Sequence, residues 1–177
     1  MARQGVDPLL LNAWLSARSI ARGLPMPVPE YGGFRIDTNS NGEIARWVFP
    51  KPEPGLQTLR RIINEPGYLM KLCGSADELD TLLPVRWTDA SLPWLLHARA
   101  GRATREQADV FICDRIVTQP GHGRKGLAQV LMAELSAARQ VDDKPQVLVA
   151  TKPGRVLYTA LGRETVSPYS TASITRP

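Results

Sequence analysis

A glycine-rich turn carrying two adjacent basic residues separates a predicted strand from a predicted helix. The strand covers residues 110–118, the turn residues 120–126, and the helix begins at about Leu127. Such a turn exposes backbone N–H groups, and the dipole of the following helix adds positive potential at the same point. Arg124 and Lys125 lie in the turn, where the helix dipole disfavours a cation unless an anion binds beside it. The arrangement predicts a binding site for a phosphate compound.

Two common phosphate-binding motifs fit this turn poorly. Residues 121–126 follow the dinucleotide pattern Gly-x-Gly-x-x-Gly, but the next predicted strand ends at Thr151, where that fold needs an acidic residue for the ribose. In a chain of 177 residues only 51 follow Gly126, too few for the rest of a doubly wound domain. The turn also lacks the Gly-Lys-Ser/Thr ending of a P-loop. The sequence therefore argues against both kinds of nucleotide site.

The turn and its flanks, residues 106–174, resemble the GNAT-type N-acetyltransferase superfamily, whose acyl-CoA site is a strand, a turn and a helix in this order. The first match falls on the family segment Val-x-Pro-x-x-(Gln/Arg)-x-x-Gly-x-(Gly/Ala). Three residues of that segment are in place: Pro120, Gly126 and Ala128. Thr118 stands where the family has Val, and Gly123 stands where it has Gln or Arg. Both departures leave the backbone N–H groups of the turn as a cradle for a diphosphate.

A second match follows the strand predicted at residues 146–151. The later family segment has the form Asn-x-x-Ala-x-x-Leu-Tyr-x-x-Leu-Gly-Phe. Four of its residues stand at the expected distance from the first motif: Leu157, Tyr158, Leu161 and Gly162. Thr151, Gly154 and Arg163 replace the family's Asn, Ala and Phe. Two separated matches in the right order are more specific than either one alone.

The resemblance implies an α/β (α+β) fold, in which helices flank a mixed, mostly antiparallel central sheet with an acyl-CoA site. It implies an enzyme that moves the acetyl group of acetyl-CoA to a primary amine by direct attack. A backbone N–H at residues 116–118, near a bulge in the central strand, would stabilise the oxyanion. Tyr158 would act as the general acid for the departing thiolate. The alternative for Tyr158 is a packed helix residue with a hydrogen-bonded hydroxyl.

The resemblance also implies which residues hold acetyl-CoA, the co-substrate. They are Ile116, Val117, Thr118, Gly123, Arg124, Lys125, Gly126, Leu127, Ala128 and Thr151. The general base stays open: Asp114, Glu106, Asp109 or a water relay could serve, and each carboxylate could instead be solvated or salt-bridged. His122 is expected at the surface and Cys113 as a buried space-filling residue.

Composition limits the other classes of protein. Hydrophobic residues make up 43% and charged residues 22% of the chain, which is typical of a globular domain. No apolar run approaches the ~18 residues that span a bilayer, and the N-terminus lacks the layout of a signal peptide. We therefore expect a soluble, cytoplasmic protein that does not engage a membrane. Cys73 and Cys113 have no metal-like spacing and only two histidines are present, so we expect reduced cysteines and no metal.

The charge distribution bears on the possible partners. The net charge is +5, and residues 101–177 hold 11 Lys and Arg against 7 Asp and Glu. Because these charges are scattered, with no dense basic stripe, a nucleic-acid-binding module is the weakest of three hypotheses. The second hypothesis is a CoA-binding sensor or scaffold without catalysis. The first needs acetyl-CoA and an unidentified amine acceptor as partners, and a homodimer is compatible with the family.

The remaining elements must position these residues. We predict that residues 1–103 form a helix–hairpin–helix–strand–helix region on the substrate side, packed into one compact unit with the acetyl-CoA region at 104–177. The predicted elements are a helix from Pro8 to Gly23, hairpin strands at 34–37 and 44–49, a helix at 55–64, a strand at 68–73, a helix opened by a Ser75–Glu78 capping box, an irregular connection at 84–103, helices at 127–139 and 154–161, and a last strand reaching Ile174. In the first helix Arg18 and Arg22 are expected to face away from an apolar stripe that includes Trp14 and Ile20.

Overall fold

A computed structural model describes residues 5–83, 87–89, 94–98, 110–114, 116–119, 121–138 and 144–174. The described part contains five helices: α1 Pro8–Arg22, α2 Pro54–Ile62, α3 Ala76–Leu82, α4 Leu127–Ala137 and α5 Lys152–Ala160. It contains nine strands: β1 Val28–Glu30, β2 Gly33–Ser40, β3 Glu43–Phe49, β4 Tyr68–Leu72, β5 Trp87–Asp89, β6 Trp94–Ala98, β7 Phe111–Ile112, β8 Gln146–Ala150 and β9 Glu164–Ile174. None of these helices combines the length and the apolar character that crossing a membrane requires.

The described strands join edge to edge in the order β1-β2-β3-β4-β9-β6-β8-β7, and β5 also pairs with β9. All pairings are antiparallel except β3 with β4 and β7 with β8, which are parallel. Strand β9 links the two halves of the sheet, because its N-terminal half pairs with β6 and its C-terminal half with β4 and β5. The expected mixed, mostly antiparallel sheet of an α/β protein is confirmed.

Helices cover both faces of the sheet. One apolar cluster joins helix residues Leu56, Leu59 and Leu79 to the strands, and a second joins Leu11, Trp14 and Leu15. Neighbouring strand residues divide between the two clusters: Trp47 and Phe49 belong to the first, and Val48 between them belongs to the second. This alternation puts α2 and α3 on one face and α1 on the other.

Local signals set the ends of several elements as predicted. Asp7 caps α1 by accepting a hydrogen bond from the Leu9 N–H at 2.9 Å, and Gly23 ends the helix in the left-handed conformation at φ 63°. Ser75 and Glu78 form the expected capping box of α3. Strands β2 and β3 form the predicted hairpin, with Ser40 opposite Glu43 across a two-residue Asn-Gly turn.

Three predictions were wrong. The segment predicted to be irregular, 84–103, contains strands β5 and β6, both paired with β9. The strand predicted at 110–118 is shorter: among its described residues only Phe111 and Ile112 pair in the sheet. The buried face of α1 differs from the predicted apolar stripe: Ile20 is 72% exposed, whereas the Arg18 side chain is 16% exposed. The reason is that this side of α1 faces Asp114 across a cavity and not bulk solvent.

Candidate functional site

The site lies where two parallel strands part. Strands β7 and β8 pair at only two positions, Phe111 opposite Gln146 and Ile112 opposite Val147. Beyond Ile112 the chain leaves the sheet, whereas β8 continues to Ala150. The described residues at 113–119 belong to no strand. Four of them border the gap beside the end of β8: Cys113, Asp114, Ile116 and Val117. Ligands of α/β proteins commonly bind in such crevices at the carboxyl ends of parallel strands.

Two cavities, each of about 580 Å³, meet in this gap. The first, the sheet cavity, is lined by Trp14, Arg18, Arg22, Arg46, Lys71, Cys113, Asp114, Val149, Ala150 and Tyr169. The second, the turn cavity, is lined by Thr118, His122, Arg124, Lys125, Gly126, Leu127, Ala128, Gln129, Pro153 and Leu157. Both are also lined by five shared residues: Ile116, Val117, Thr151, Gly154 and Tyr158. The shared residues form the junction of the two cavities.

The turn that borders the second cavity is open and has left-handed backbone conformations. The φ angles are 83° at Gly121, 60° at Arg124 and 75° at Gly126. Gly126 is the N-cap of α4 and has no side chain with which to accept from the amides of the first helical turn. Those amides need a ligand or solvent as acceptor, and turns of this kind form concave groups of N–H donors that bind anions. The exposed Arg124 and Lys125 add positive charge at the same place.

Tyr158 is held at the junction by the core beneath it. It lies on α5, is 7% exposed and packs in a cluster with Met132, Leu148 and Ala150. Burial raises the pKa of the Tyr158 phenol above its usual 10, with nearby Cys113 adding to this shift and Arg163 opposing it. The hydroxyl therefore stays protonated at neutral pH and can donate a proton.

Thr151 and Gly154 begin α5 at the junction. The Thr151 Oγ1 accepts a hydrogen bond from the Gly154 N–H at 3.3 Å and so caps the helix. A Cβ atom on Gly154 would lie 3.5 Å from Cε2 of Tyr158. The first turn of α5 therefore lies directly beside the phenol ring.

Most of the residues predicted to hold a cofactor come together around the turn cavity. Those lining it are Ile116, Val117, Thr118, Arg124, Lys125, Gly126, Leu127, Ala128 and Thr151, together with Tyr158. Gly123 lies in the turn but lines neither cavity. His122 is exposed, as expected. Cys113 is partly buried, accepts from Nε2 of Gln146 at 2.8 Å and forms no disulfide.

The three candidate bases have different outcomes. Asp114 lines the sheet cavity, where both its carboxylate oxygens accept from Arg22, at 2.7 and 2.5 Å. Its interpretation as a salt-bridged carboxylate is therefore confirmed, and a second arginine, Arg18, has its Nε 3.5 Å from Oδ1. Glu106 and Asp109 lie outside the described residues.

The sequence prediction missed the cations of the sheet cavity: Arg18, Arg22, Arg46 and Lys71. A signal for Arg18 was available, since it stands four residues after Trp14 on one helix, and its guanidinium lies 4.6 Å from the Trp14 ring centroid. Lys71 alternates with the fully buried Met70 and Leu72 in β4, so it faces the opposite side of the sheet. No local pattern indicates that this side holds a cavity.

Burial destabilises the charged form of Lys71 in this environment. Burial, followed by the neighbouring Arg46, lowers its pKa from 10.5 to about 8, and Glu43 offsets part of the shift. Its Nζ donates to the neutral Oγ1 of Thr171 at 3.0 Å and lies 5.7 Å from the centroid of the Tyr169 ring. Keeping this ammonium inside the fold costs stability, which is typical of groups retained for function.

We expect Lys71→Met to raise the free energy of unfolding at pH 7 by about 1 to 3 kcal/mol, because it removes a desolvated charge. The pH dependence has a defined sign. Between pH 8 and 10.5 the unfolded chain binds more protons at Lys71 than the folded chain, so the stability of the parent rises with pH there. The difference in unfolding free energy between the variant and the parent should therefore shrink across this pH window. Urea denaturation at pH 7, 9 and 10.5 measures it.

Lys51→Met is the matched control, because the Lys51 side chain is 58% exposed and lines neither cavity. It should leave the unfolding free energy within about 0.5 kcal/mol at every pH. A Lys71→Met protein that is less stable than the parent at pH 7 would contradict the burial argument.

Comparison with other proteins does not identify a family for this chain. Neither the protein-family models nor the curated proteins nor the solved structures contain a match to this chain. Within the part of the chain that the structure describes, no three His, Cys, Asp or Glu side chains form a group that could hold a metal ion. The function must therefore be inferred from the two cavities and their residues.

Proposed function

We propose that this protein is a GNAT-like N-acetyltransferase that moves the acetyl group of acetyl-CoA to a primary amine. The observation that carries the proposal is the meeting of two cavities at Tyr158. Group transfer between two substrates needs a donor site and an acceptor site that share one reacting point. The turn cavity has the backbone N–H groups and basic residues suited to the phosphates of acetyl-CoA, the acetyl donor. The sheet cavity is then the site for the amine acceptor.

In this proposal the turn cavity binds coenzyme A from its diphosphate to its sulfur. The diphosphate accepts from amides of the turn and of the first turn of α4, while Arg124 and Lys125 supply charge. The pantetheine arm follows residues 116–118, which are outside the sheet, and pairs with their backbone as an added strand would. This path leads the thioester toward Tyr158.

The reaction needs three things from the protein. The lone pair of the neutral amine attacks the thioester carbonyl carbon, and a backbone N–H at residues 116–118 stabilises the oxyanion. The C–S bond then breaks, and the Tyr158 hydroxyl gives its proton to the departing thiolate. The amine loses its own proton to a base or to water, and solvent reprotonates the phenolate. The raised pKa of Tyr158 keeps its hydroxyl protonated before each turnover.

A binding protein without catalysis is the second candidate. It is favoured by Thr151, whose side chain is engaged in capping α5, and by the buried Arg163, which stands where the family has Phe. A thermal-shift measurement with acetyl-CoA and with CoA, followed by thiol release with a panel of amines, separates the two. Stabilisation by both ligands without thiol release on any amine would favour the sensor or scaffold.

Replacing Tyr158 by Phe tests the catalytic assignment. We expect thiol release with the best amine of the panel to fall about 10- to 100-fold, because general-acid assistance is worth at least that much. The Kd for CoA should change less than about two-fold, since the ring and its packing remain. Tyr31→Phe is the control, because Tyr31 is 42% exposed and lines neither cavity. An unchanged rate would remove Tyr158 from the mechanism.

A further inference from the structure

The sheet cavity has more positive than negative charge among the residues that the structure describes. Four cationic side chains line it: Arg18, Arg22, Arg46 and Lys71. One carboxylate, Asp114, lines it as well, and a second, that of Glu43, accepts from Nε of Arg46 at 2.5 Å. Two cations are therefore in excess.

The pairings show which cations these are. Arg22 holds Asp114 through two hydrogen bonds, at 2.5 and 2.7 Å, in the bidentate geometry that neutralises both groups. Arg46 and Glu43 form the second close pair. Arg18 and Lys71 remain, each with a weaker partner.

One donor of Arg18, the Nε–H, lacks a hydrogen-bond acceptor among the described residues. Its Nε is buried and donates to none of them, and the nearest carboxylate oxygen, Oδ1 of Asp114, lies 3.5 Å away. The guanidinium is nevertheless fixed in place, because it stacks over the Trp14 ring. A guanidinium held in place with an unsatisfied Nε–H beside a cavity is suited to a ligand that brings an anionic oxygen.

Lys71 and Tyr169 complete the set of donors. The Lys71 ammonium has three N–H groups, of which one donates to the Thr171 hydroxyl. The Tyr169 hydroxyl is buried and has no hydrogen-bond partner among the described residues. Ring contacts join these groups: Tyr169 packs edge-on against Trp14, with centroids 5.7 Å apart, and Lys71 Nζ lies 5.7 Å from the centroid of the Tyr169 ring. Unsatisfied buried donors of this kind are costly unless a ligand accepts from them.

We propose that the amine acceptor carries an anionic oxygen group, a carboxylate or a phosphate, which binds between Arg18 and Lys71 and accepts from Tyr169. This inference rests on the transfer reaction proposed above, in which the sheet cavity holds the acceptor. Anchored in this way, the substrate extends its amino group toward Tyr158 at the junction. Simple amines without an anionic group leave the two cations uncompensated and bind poorly.

Equilibrium binding to the CoA-free protein tests the charge requirement separately from the reaction. The probes are amino acids against their α-carboxamides, and phosphoethanolamine against ethanolamine, titrated by calorimetry at pH 7. We expect the anionic member of at least one pair to bind about 10-fold or more tightly than its neutral partner. The amino-acid pairs and the phosphate pair distinguish a carboxylate site from a phosphate site.

Variants assign the effect to the two cations. Arg18→Gln and Lys71→Met should each weaken the anionic probe about 10-fold or more, whereas Arg18→Lys should retain part of the affinity. Arg35→Gln is the matched control, because Arg35 pairs with Asp37 and lines neither cavity. Equal binding of charged and neutral probes, or no binding by any probe, would overturn the proposal.

Two further outcomes separate this inference from the proposed function. Thiol release that proceeds equally well with anionic and neutral amines would sustain the transferase and overturn the anionic acceptor. Selective binding of an anionic amine that never leads to thiol release would sustain the anion site and overturn the transferase.

Discussion

Reversing both charges of the turn, with Arg124→Glu and Lys125→Glu in one protein, should weaken coenzyme A binding by about 100-fold or more. Each hydrogen bond to a charged group is worth about 1.5–3 kcal/mol, and a tenfold change in Kd corresponds to about 1.4 kcal/mol. Both side chains are exposed, so the fold itself should tolerate the change. Calorimetry with CoA measures the effect, and the dependence of Kd on salt should become shallower.

A double reversal elsewhere separates local contacts from net charge. Lys51→Glu with Arg61→Glu makes the same change in total charge, and both residues are exposed and line neither cavity. Its Kd for CoA should stay within about three-fold of the parent, since salt screens exposed charges that do not contact the ligand. If the two double variants lose equal affinity, only net charge attracts the ligand. If the turn variant loses none, the turn does not hold the diphosphate and the proposed donor site is wrong.

The turn cavity was predictable because its parts are adjacent in sequence. The glycines at 121, 123 and 126, the basic pair and the start of α4 lie within a few residues of one another. Positive φ and helix capping are local properties, so residue types indicate them directly. The match around Tyr158 added one more element, α5, whose start at the end of β8 brings the phenol beside the turn.

The sheet cavity was not predictable in the same way, because its parts are distant in sequence. Arg18 belongs to α1, Lys71 to β4 and Tyr169 to β9, and they meet only through the order of strands in the sheet. Helical periodicity indicated that α1 has one apolar face but not what lies opposite its other side. Opposite Arg18 and Arg22 is Asp114, on the segment that leaves the sheet after β7.

The length of β7 illustrates the same limit. Residues 110–118 are rich in β-branched and apolar types, so local propensity favours one continuous strand. Pairing needs a partner, however, and among the described residues of this segment β8 pairs with Phe111 and Ile112 alone. Strand propensity describes the half-buried surface that a residue prefers, and tertiary packing decides where the ladder ends. The early end of this ladder opens the gap in which both cavities lie.

Gly55→Val should lower the free energy of unfolding by about 3 kcal/mol or more. A Cβ atom at Gly55 would lie 1.8 Å from the backbone oxygen of Tyr31, which no side-chain adjustment relieves. Tyr31 and Gly32 are the central residues of the β1–β2 turn, with φ of 54° and 81°, so that turn has little freedom to move. The first turn of α2 would have to shift, and the fully buried Leu56 with it. Thermal unfolding should occur roughly 6–12 °C lower.

Helix propensity predicts a change in stability of the opposite sign. The measurement therefore distinguishes the packing clash from helix propensity. Valine is a slightly better helix former than glycine, so a sequence-based estimate expects a small gain in stability at position 55. Gly123→Val supplies the control, because a Cβ atom there meets nothing within 4 Å and its backbone is not left-handed. Measured without ligands, it should change the unfolding free energy by less than about 0.5 kcal/mol. Gly55→Ala should already lose stability, since the clash begins at Cβ. A Gly55→Val protein as stable as the parent would mean that α2 does not pack against the β1–β2 turn, and the packing of α2 described above would be wrong.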